Sequence, residues 1–221
     1  DSLPPPPPPD GHTAADSFVS PNYGWSRVQV QDAGRVPCQR SLHAAAVHAD
    51  SLYVFGGFDG NSRVNDMYEY NFILRRWRST QATLITPSAR DRHTAVVYGN
   101  TFYVFGGFDG TSRVNDFWGY NFETQGWAQV LAEDGSAPSP RHSHMAVVYN
   151  DSMYIFGGYD GSYRGDFFEY NFSANTWSPI NATGRMPRCR YRASCVVHDH
   201  HMIMFGGHDG GKHLNDTNIF H

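Results

Sequence analysis

The chain has 221 residues and a formal net charge of −4, with 40% hydrophobic and 15% aromatic residues, enough apolar side chain for one sizeable core. Without an apolar run long enough for a membrane span, and without the positive excess of a broad nucleic-acid surface, it is expected to be soluble and single-domain, with no membrane or nucleic-acid partner. Its basic residues are sixteen arginines and one lysine, Lys212, a bias toward bidentate pairing with carboxylates.

Residues 1–20 open with six consecutive prolines, Pro4–Pro9, and hold few large apolar side chains before Phe18. They read as a disordered or polyproline II leader, either a linker from a preceding domain or a ligand for a proline-binding module. An Asp as first residue points to further sequence upstream. From residue 21 to 221 the composition changes, and a lone strand is expected around Trp25–Val30.

The string Phe-Gly-Gly-x-Asp-Gly then appears four times, its diglycines at Gly56-Gly57, Gly106-Gly107, Gly157-Gly158 and Gly206-Gly207. A period near 50 residues marks a tandem repeat. Arg40, Arg90, Arg141 and Arg190 lead the copies, Tyr70, Tyr120, Tyr170 and Phe220 follow the diglycines, and Trp25, Trp77, Trp127 and Trp177 close them. The third copy is one residue short between Gly161 and Asp166, a deletion that a loop tolerates.

Each copy predicts four short strands, because apolar and β-branched runs are cut by Gly, Asn and Asp. In the second copy strand a is His93–Tyr98, strand b Phe102–Phe105, strand c Asp116–Phe122, and strand d carries Trp127 seven residues after Tyr120. The tyrosine and tryptophan rings are expected to pack between sheets. Turns fall at Ala49-Asp50, Gly99-Asn100, Asn150-Asp151 and Asp199-His200, suited to positive φ.

A diglycine after a hydrophobic strand, followed by spaced Tyr and Trp, resembles the kelch motif from about Trp25 to His221. The resemblance implies an all-β, kelch-type β-propeller with four visible four-stranded blades, and the Arg-x-x-His ahead of strand a is similar to leucine-zipper-like kelch adaptors. Two architectures stay open: a closed four-bladed ring, in which Trp25–Val30 pairs with Asp216–Phe220, or a fragment of a larger propeller. The resemblance further implies a protein-binding scaffold acting within a cullin-3 ubiquitin ligase through domains outside this chain.

In kelch propellers the d–a and b–c loops form the binding face. The first set carries Arg40, Arg90, Arg92, Arg141, His142, Arg190, Tyr191 and Arg192, and the second Asn61, Arg63, Thr111, Arg113, Tyr163, Arg164, Lys212 and His213. Nine arginines at one end suit a protein or acidic peptide. The four recurrent arginines match in number the groups Asp59, Asp109, Asp160, Asp209 and Asp66, Asp116, Asp166, Asp216, which suggests blade-to-blade ion pairs. The expected partner contacts are Arg63, Arg92, Arg113, His142, Tyr163, Arg164, Tyr191 and Arg192.

His43, His93 and His144 share one strand-a position, and two roles fit: a hydrogen bond to the neighbouring blade, or a metal ring serving an oxidase-like enzyme. No nucleophile elbow, phosphate loop or HExxH segment is present, and the Glu-x-x-x-Asp-x-x-x-His spacing of iron-binding plant specifier proteins is missing. The expectation is a non-enzyme without metal or cofactor. Cys38, Cys189 and Cys195 do not recur in register, which predicts free thiols and a cytoplasmic setting. The sequons at Asn150, Asn171, Asn181 and Asn215 weigh little, since Asn171 and Asn215 fill positions where Asn recurs.

Overall fold

A computed structural model describes residues 24–30, 36–80 and 84–221; the proline-rich leader lies outside them. Blade 1 comprises β1 (Ala44–His48), β2 (Ser51–Phe55), β3 (Met67–Asn71) and β4 (Arg76–Ser79). Blade 2 follows with β5 (Thr94–Tyr98), β6 (Thr101–Phe105), β7 (Phe117–Asn121) and β8 (Gly126–Val130). Blade 3 has β9 (Met145–Tyr149), β10 (Ser152–Phe156), β11 (Phe167–Asn171) and β12 (Thr176–Pro179), and blade 4 has β13 (Ser194–His198), β14 (His201–Phe205) and β15 (Thr217–Phe220).

Every sheet is an antiparallel meander in sequence order, the arrangement that short turns allow. The first residue of each a–b turn has positive φ, from 47° at Ala49 to 54° at Gly99, and each c–d turn is closed by an asparagine. Asn121 Oδ1, for instance, accepts from the Glu123 and Thr124 amides at 3.0 and 2.9 Å. Such Asx turns explain why Asn recurs at this position.

Blades are held to one another by aromatic packing. Trp127 of blade 2 lies 4.9 Å from Phe55 of blade 1, and Trp177 of blade 3 lies 5.1 Å from Phe105 of blade 2. Each tryptophan also meets the tyrosine seven residues upstream, at 5.3 Å for Tyr120 and 5.0 Å for Tyr170. The expected packing between sheets is thus present, although Trp77, in a blade without a described predecessor, is only half-buried.

The closed four-bladed ring is not formed. Trp25–Val30 carries no strand and Trp25 is fully exposed, while blade 4 remains a three-stranded sheet ending at β15. The inner strands neighbour one another in the series β1, β5, β9, β13, and no comparable contact joins β13 to β1. The described blades therefore make an open arc, its two ends bearing exposed Val47 on β1 and exposed Val196 and Phe205 on β13 and β14.

Candidate partner-binding face

The d–a and b–c loops do meet at one end of each blade. In blade 2, Phe108 bridges both Asp91 and Arg113, and the same pair of bridges recurs as Ser41–Phe58–Arg63, His142–Tyr159–Tyr163 and Tyr191–His208–His213. The diglycine makes this possible. A Cβ on Gly107, at φ +105°, would stand 2.8 Å from the Asp91 carbonyl oxygen and 2.9 Å from His93 Cβ, so the loop can fold back over strand a only where side chains are absent. These bridges place the one-residue deletion before Tyr163: Tyr163 takes the slot of Arg63 and Arg113, and Arg164 takes that of Val64 and Val114.

The leading arginines lie beneath this surface. Arg90, Arg141 and Arg190 are fully buried. Arg90 grips Asp116 through both carboxylate oxygens at 2.6 and 2.8 Å and donates to the Gly106 carbonyl at 3.0 Å, and Arg40, Arg141 and Arg190 repeat the pattern on Asp66, Asp166 and Asp216. These ion pairs lie within one blade, which corrects the blade-to-blade expectation: the interior of a blade end is where the guanidinium fork loses water and needs its carboxylate. The bond to Arg190, and secondarily to Asn218, holds the Asp216 carboxyl well below the usual carboxylate range. Asp59, Asp109 and Asp209 do not pair with these arginines either; each accepts amide hydrogens of its own turn, Asp109 from Thr111 and Ser112 at 2.8 Å.

Blade-to-blade linkage runs instead through backbone. The Gly57 amide donates to the Arg90 carbonyl at 2.8 Å, and the Arg90 amide donates to Val64 at 3.3 Å. Nearer the axis, the Arg92 amide donates to Leu42, Ser143 to Arg92 and Arg192 to Ser143, at 3.0, 2.8 and 2.9 Å. The histidines add a third link. His93 Nε2 donates to the Phe55 carbonyl at 3.2 Å and His144 Nε2 pairs with Thr94 Oγ1 at 2.7 Å. Burial, reinforced by the neighbouring Arg90, pushes the His93 pKa down to about 3, and His144 likewise titrates well below the ordinary range. Both imidazoles are neutral struts between blades, and no group of three or more His, Cys, Asp or Glu side chains gathers in a metal-holding arrangement among the described residues.

Above this layer the eight expected contacts separate into three groups. Arg63 and Arg92 both reach the buried Asp91, at 3.1 and 3.0 Å, and Arg164 pairs with Asp160; their charge is largely answered within the chain. Arg113 and Arg192 have no carboxylate partner among the described residues. They lie instead over aromatic rings, Arg113 at 4.8 Å from the Tyr159 centroid and Arg192 at 4.9 Å from that of Tyr191, a cation–π arrangement that leaves the fork open to an anion. Between them sits His142, whose pKa falls to about 4 through burial and the positive charge of Arg92, Arg113 and Arg192. Tyr163 completes an aromatic platform, 5.1 Å from Tyr159, 5.3 Å from Tyr191 and 6.1 Å from His208.

Three residues of this face escaped the sequence reading. Asp91 is the one acid among Ser41, Asp91, His142 and Tyr191, a signal visible beside Arg90 and Arg92. Tyr159 and His208 fill the variable place in Phe-Gly-Gly-x-Asp-Gly, aromatic in every copy.

Comparison with known proteins agrees with this architecture. The chain is 46% identical over 44 residues to human leucine-zipper-like transcriptional regulator 1 and 43% identical over 44 residues to its Drosophila melanogaster homolog, each match covering 20% of this chain. A 55-residue stretch, 24% of the chain, is 44% identical to the N-(sulfonatooxy)prop-2-enimidothioate sulfolyase of Thlaspi arvense. The chain matches only 5%, 4% and 16% of the lengths of these relatives. Residues 9–207 match the KLHDC2/KLHL20/DRC7 Kelch-repeats domain, and the chain belongs to that kelch-repeat family.

Proposed function

We propose that this kelch propeller is a protein-interaction scaffold whose loop face binds an acidic peptide segment, with Arg113 and Arg192 receiving carboxylates and Tyr159, Tyr163 and Tyr191 receiving an adjacent apolar side chain. The observation that carries this reading is the pair of guanidinium groups left without a carboxylate on a face where every buried arginine has one. An incoming carboxylate would make charge-assisted bonds there, and the aromatic platform offers rigid area beside them. Within the same proposal, the chain recruits its partner as the substrate-binding part of a larger adaptor serving a ubiquitin ligase. The three cysteines, all unpaired, support a cytoplasmic setting, and the negative net charge disfavours nucleic acid as partner.

The test is a fluorescein-labelled peptide with alternating Glu and Phe, followed by fluorescence anisotropy. Arg113→Glu combined with Arg192→Glu is expected to weaken binding at least tenfold while the melting temperature stays within a few degrees, because neither side chain supports the fold through an ion pair. Unchanged affinity in that variant would remove the loop face as the binding surface.

A further inference from the structure

The loop face repeats one frame where blades meet, with a different chemistry in it each time. Between blades 1 and 2, the b–c loop of blade 1 sends Arg63 across to Asp91, 3.1 Å away, with its guanidinium 4.7 Å from the Phe108 ring centroid. Between blades 2 and 3, Arg113 lies in the same way over Tyr159, the counterpart of Phe108, at 4.8 Å. The place of Asp91 is held there by His142, as the bridges Asp91–Phe108 and His142–Tyr159 establish. Between blades 3 and 4 both places are aromatic, with the rings of Tyr163 and Tyr191 5.3 Å apart.

Arg63 and Arg113 therefore share a backbone frame and an aromatic support, and they differ in one neighbour. Asp91 is 1% exposed and gives Arg63 a carboxylate; Arg92 reaches the same carboxylate at 3.0 Å, so one acid answers two cations. His142 gives Arg113 none. Its Nδ1 pairs with Ser143 Oγ at 3.0 Å, and its imidazole is neutral at pH 7, first through burial and then through the charges of Arg92, Arg113 and Arg192. A neutral ring leaves the charge of Arg113 unanswered at a half-buried site, where solvent screens it less than on an open surface.

We infer that the residue at this position selects which arginine of the face takes a ligand carboxylate: Asp91 occupies Arg63 and Arg92 from within the chain, and His142 leaves Arg113 open to an acid group seated as Asp91 is seated on Arg63. The inference rests on the acidic-peptide reading above and gives that peptide a direction. Its acid falls between blades 2 and 3, and its apolar side chain falls on Tyr163 and Tyr191 between blades 3 and 4. An acid in that place makes charge-assisted bonds to the guanidinium fork. A longer acidic run gains nothing at Arg63, where the chain's own carboxylate already stands.

Two substitutions move the carboxylate without touching an arginine. His142→Asp supplies one to Arg113 and is expected to weaken the labelled Glu–Phe peptide by about fivefold or more, while Asp91→Asn frees Arg63 and Arg92 and is expected to strengthen it by about threefold. A second readout needs no peptide: phenylglyoxal, which attacks guanidinium groups not engaged by a carboxylate, followed by mass spectrometry. Arg113 should be labelled faster than Arg63 in the unsubstituted chain, slowed by His142→Asp, and Arg63 quickened by Asp91→Asn; His142→Asp, at a half-buried site, carries both readouts if Asp91→Asn does not fold. Peptide binding that depends on Arg113 and Arg192 yet ignores both substitutions overturns the selector role and leaves the binding face standing, and equal labelling of Arg63 and Arg113 throughout overturns it as well. A chain that binds no peptide at all defeats the acidic-peptide reading, and the order of labelling then still decides whether Asp91 and His142 set the state of their arginines.

Discussion

Blades 2 and 3 and blades 1 and 4 are written with nearly the same repeat, yet they differ in what their residues do. Phe55 is buried because Trp127 lies on it, whereas Phe205, at the same place in the last repeat, is 55% exposed. His93 is buried against the preceding blade and His43 is half exposed. A repeat of this kind encodes half of each contact, and its neighbour supplies the other half. Burial in such a chain therefore depends on position in the array as much as on residue type.

The comparison is sharpest at the tryptophans. Trp127→Ala should cost about 3–5 kcal/mol in denaturant titration, the range for a well-buried large aromatic. Trp77→Ala, at a half-buried site, should cost roughly half of that, and equal losses would mean that the end blades are packed like the interior ones.

How much of this was legible follows from the same asymmetry. The strands, the turns and the diglycine were readable because each depends on local chemistry: period-2 alternation, Asx turns, and backbone that excludes a Cβ. The pairing of the leading arginines with aspartates was readable in number but not in direction. Sequence spacing cannot distinguish Arg90 reaching Asp116 in its own blade from Arg90 reaching Asp66 in the preceding one, and the distinction rests on where the guanidinium emerges from the d–a loop. At the binding face, the eight residues could be named from their loops, but Asp91 changes the meaning of Arg63 and Arg92, and its reach to Arg63 is apparent only once blades are side by side.

Acid should separate the blades next. His93 and His144 are held neutral in the fold and titrate near the ordinary histidine value when unfolded, so the unfolded chain binds more protons below about pH 6.5. Stability is then full above that pH and falls as the pH drops toward the folded value of about 3 at His93, by about 2 kcal/mol at His93 between pH 7 and pH 5, with His144 adding in the same direction. Chemical denaturation at the two pH values checks this; a His93→Gln and His144→Gln variant should flatten the profile, while His43→Gln should leave most of it.

A smaller difference is expected at the first glycine of each pair. Gly157 and Gly206 share φ near +68° and +69°, so alanine strains both equally, by about 1 kcal/mol or more. Only at Gly157 would the new Cβ also meet the next blade, 2.5 Å from the Arg190 carbonyl oxygen; at Gly206 the nearest atom is Leu214 O at 3.2 Å. Gly157→Ala should lower the melting temperature by several degrees more than Gly206→Ala.

The most direct measurement is amide hydrogen exchange at the second glycine of each repeat, made at a protein concentration where the chain is monomeric. The amides of Gly57, Gly107 and Gly158 donate to the next blade at 2.8 Å and are expected to exchange slowly, while Gly207 exchanges as an open group. Equal protection at all four under those conditions would contradict the account that each blade is completed by the blade that follows it.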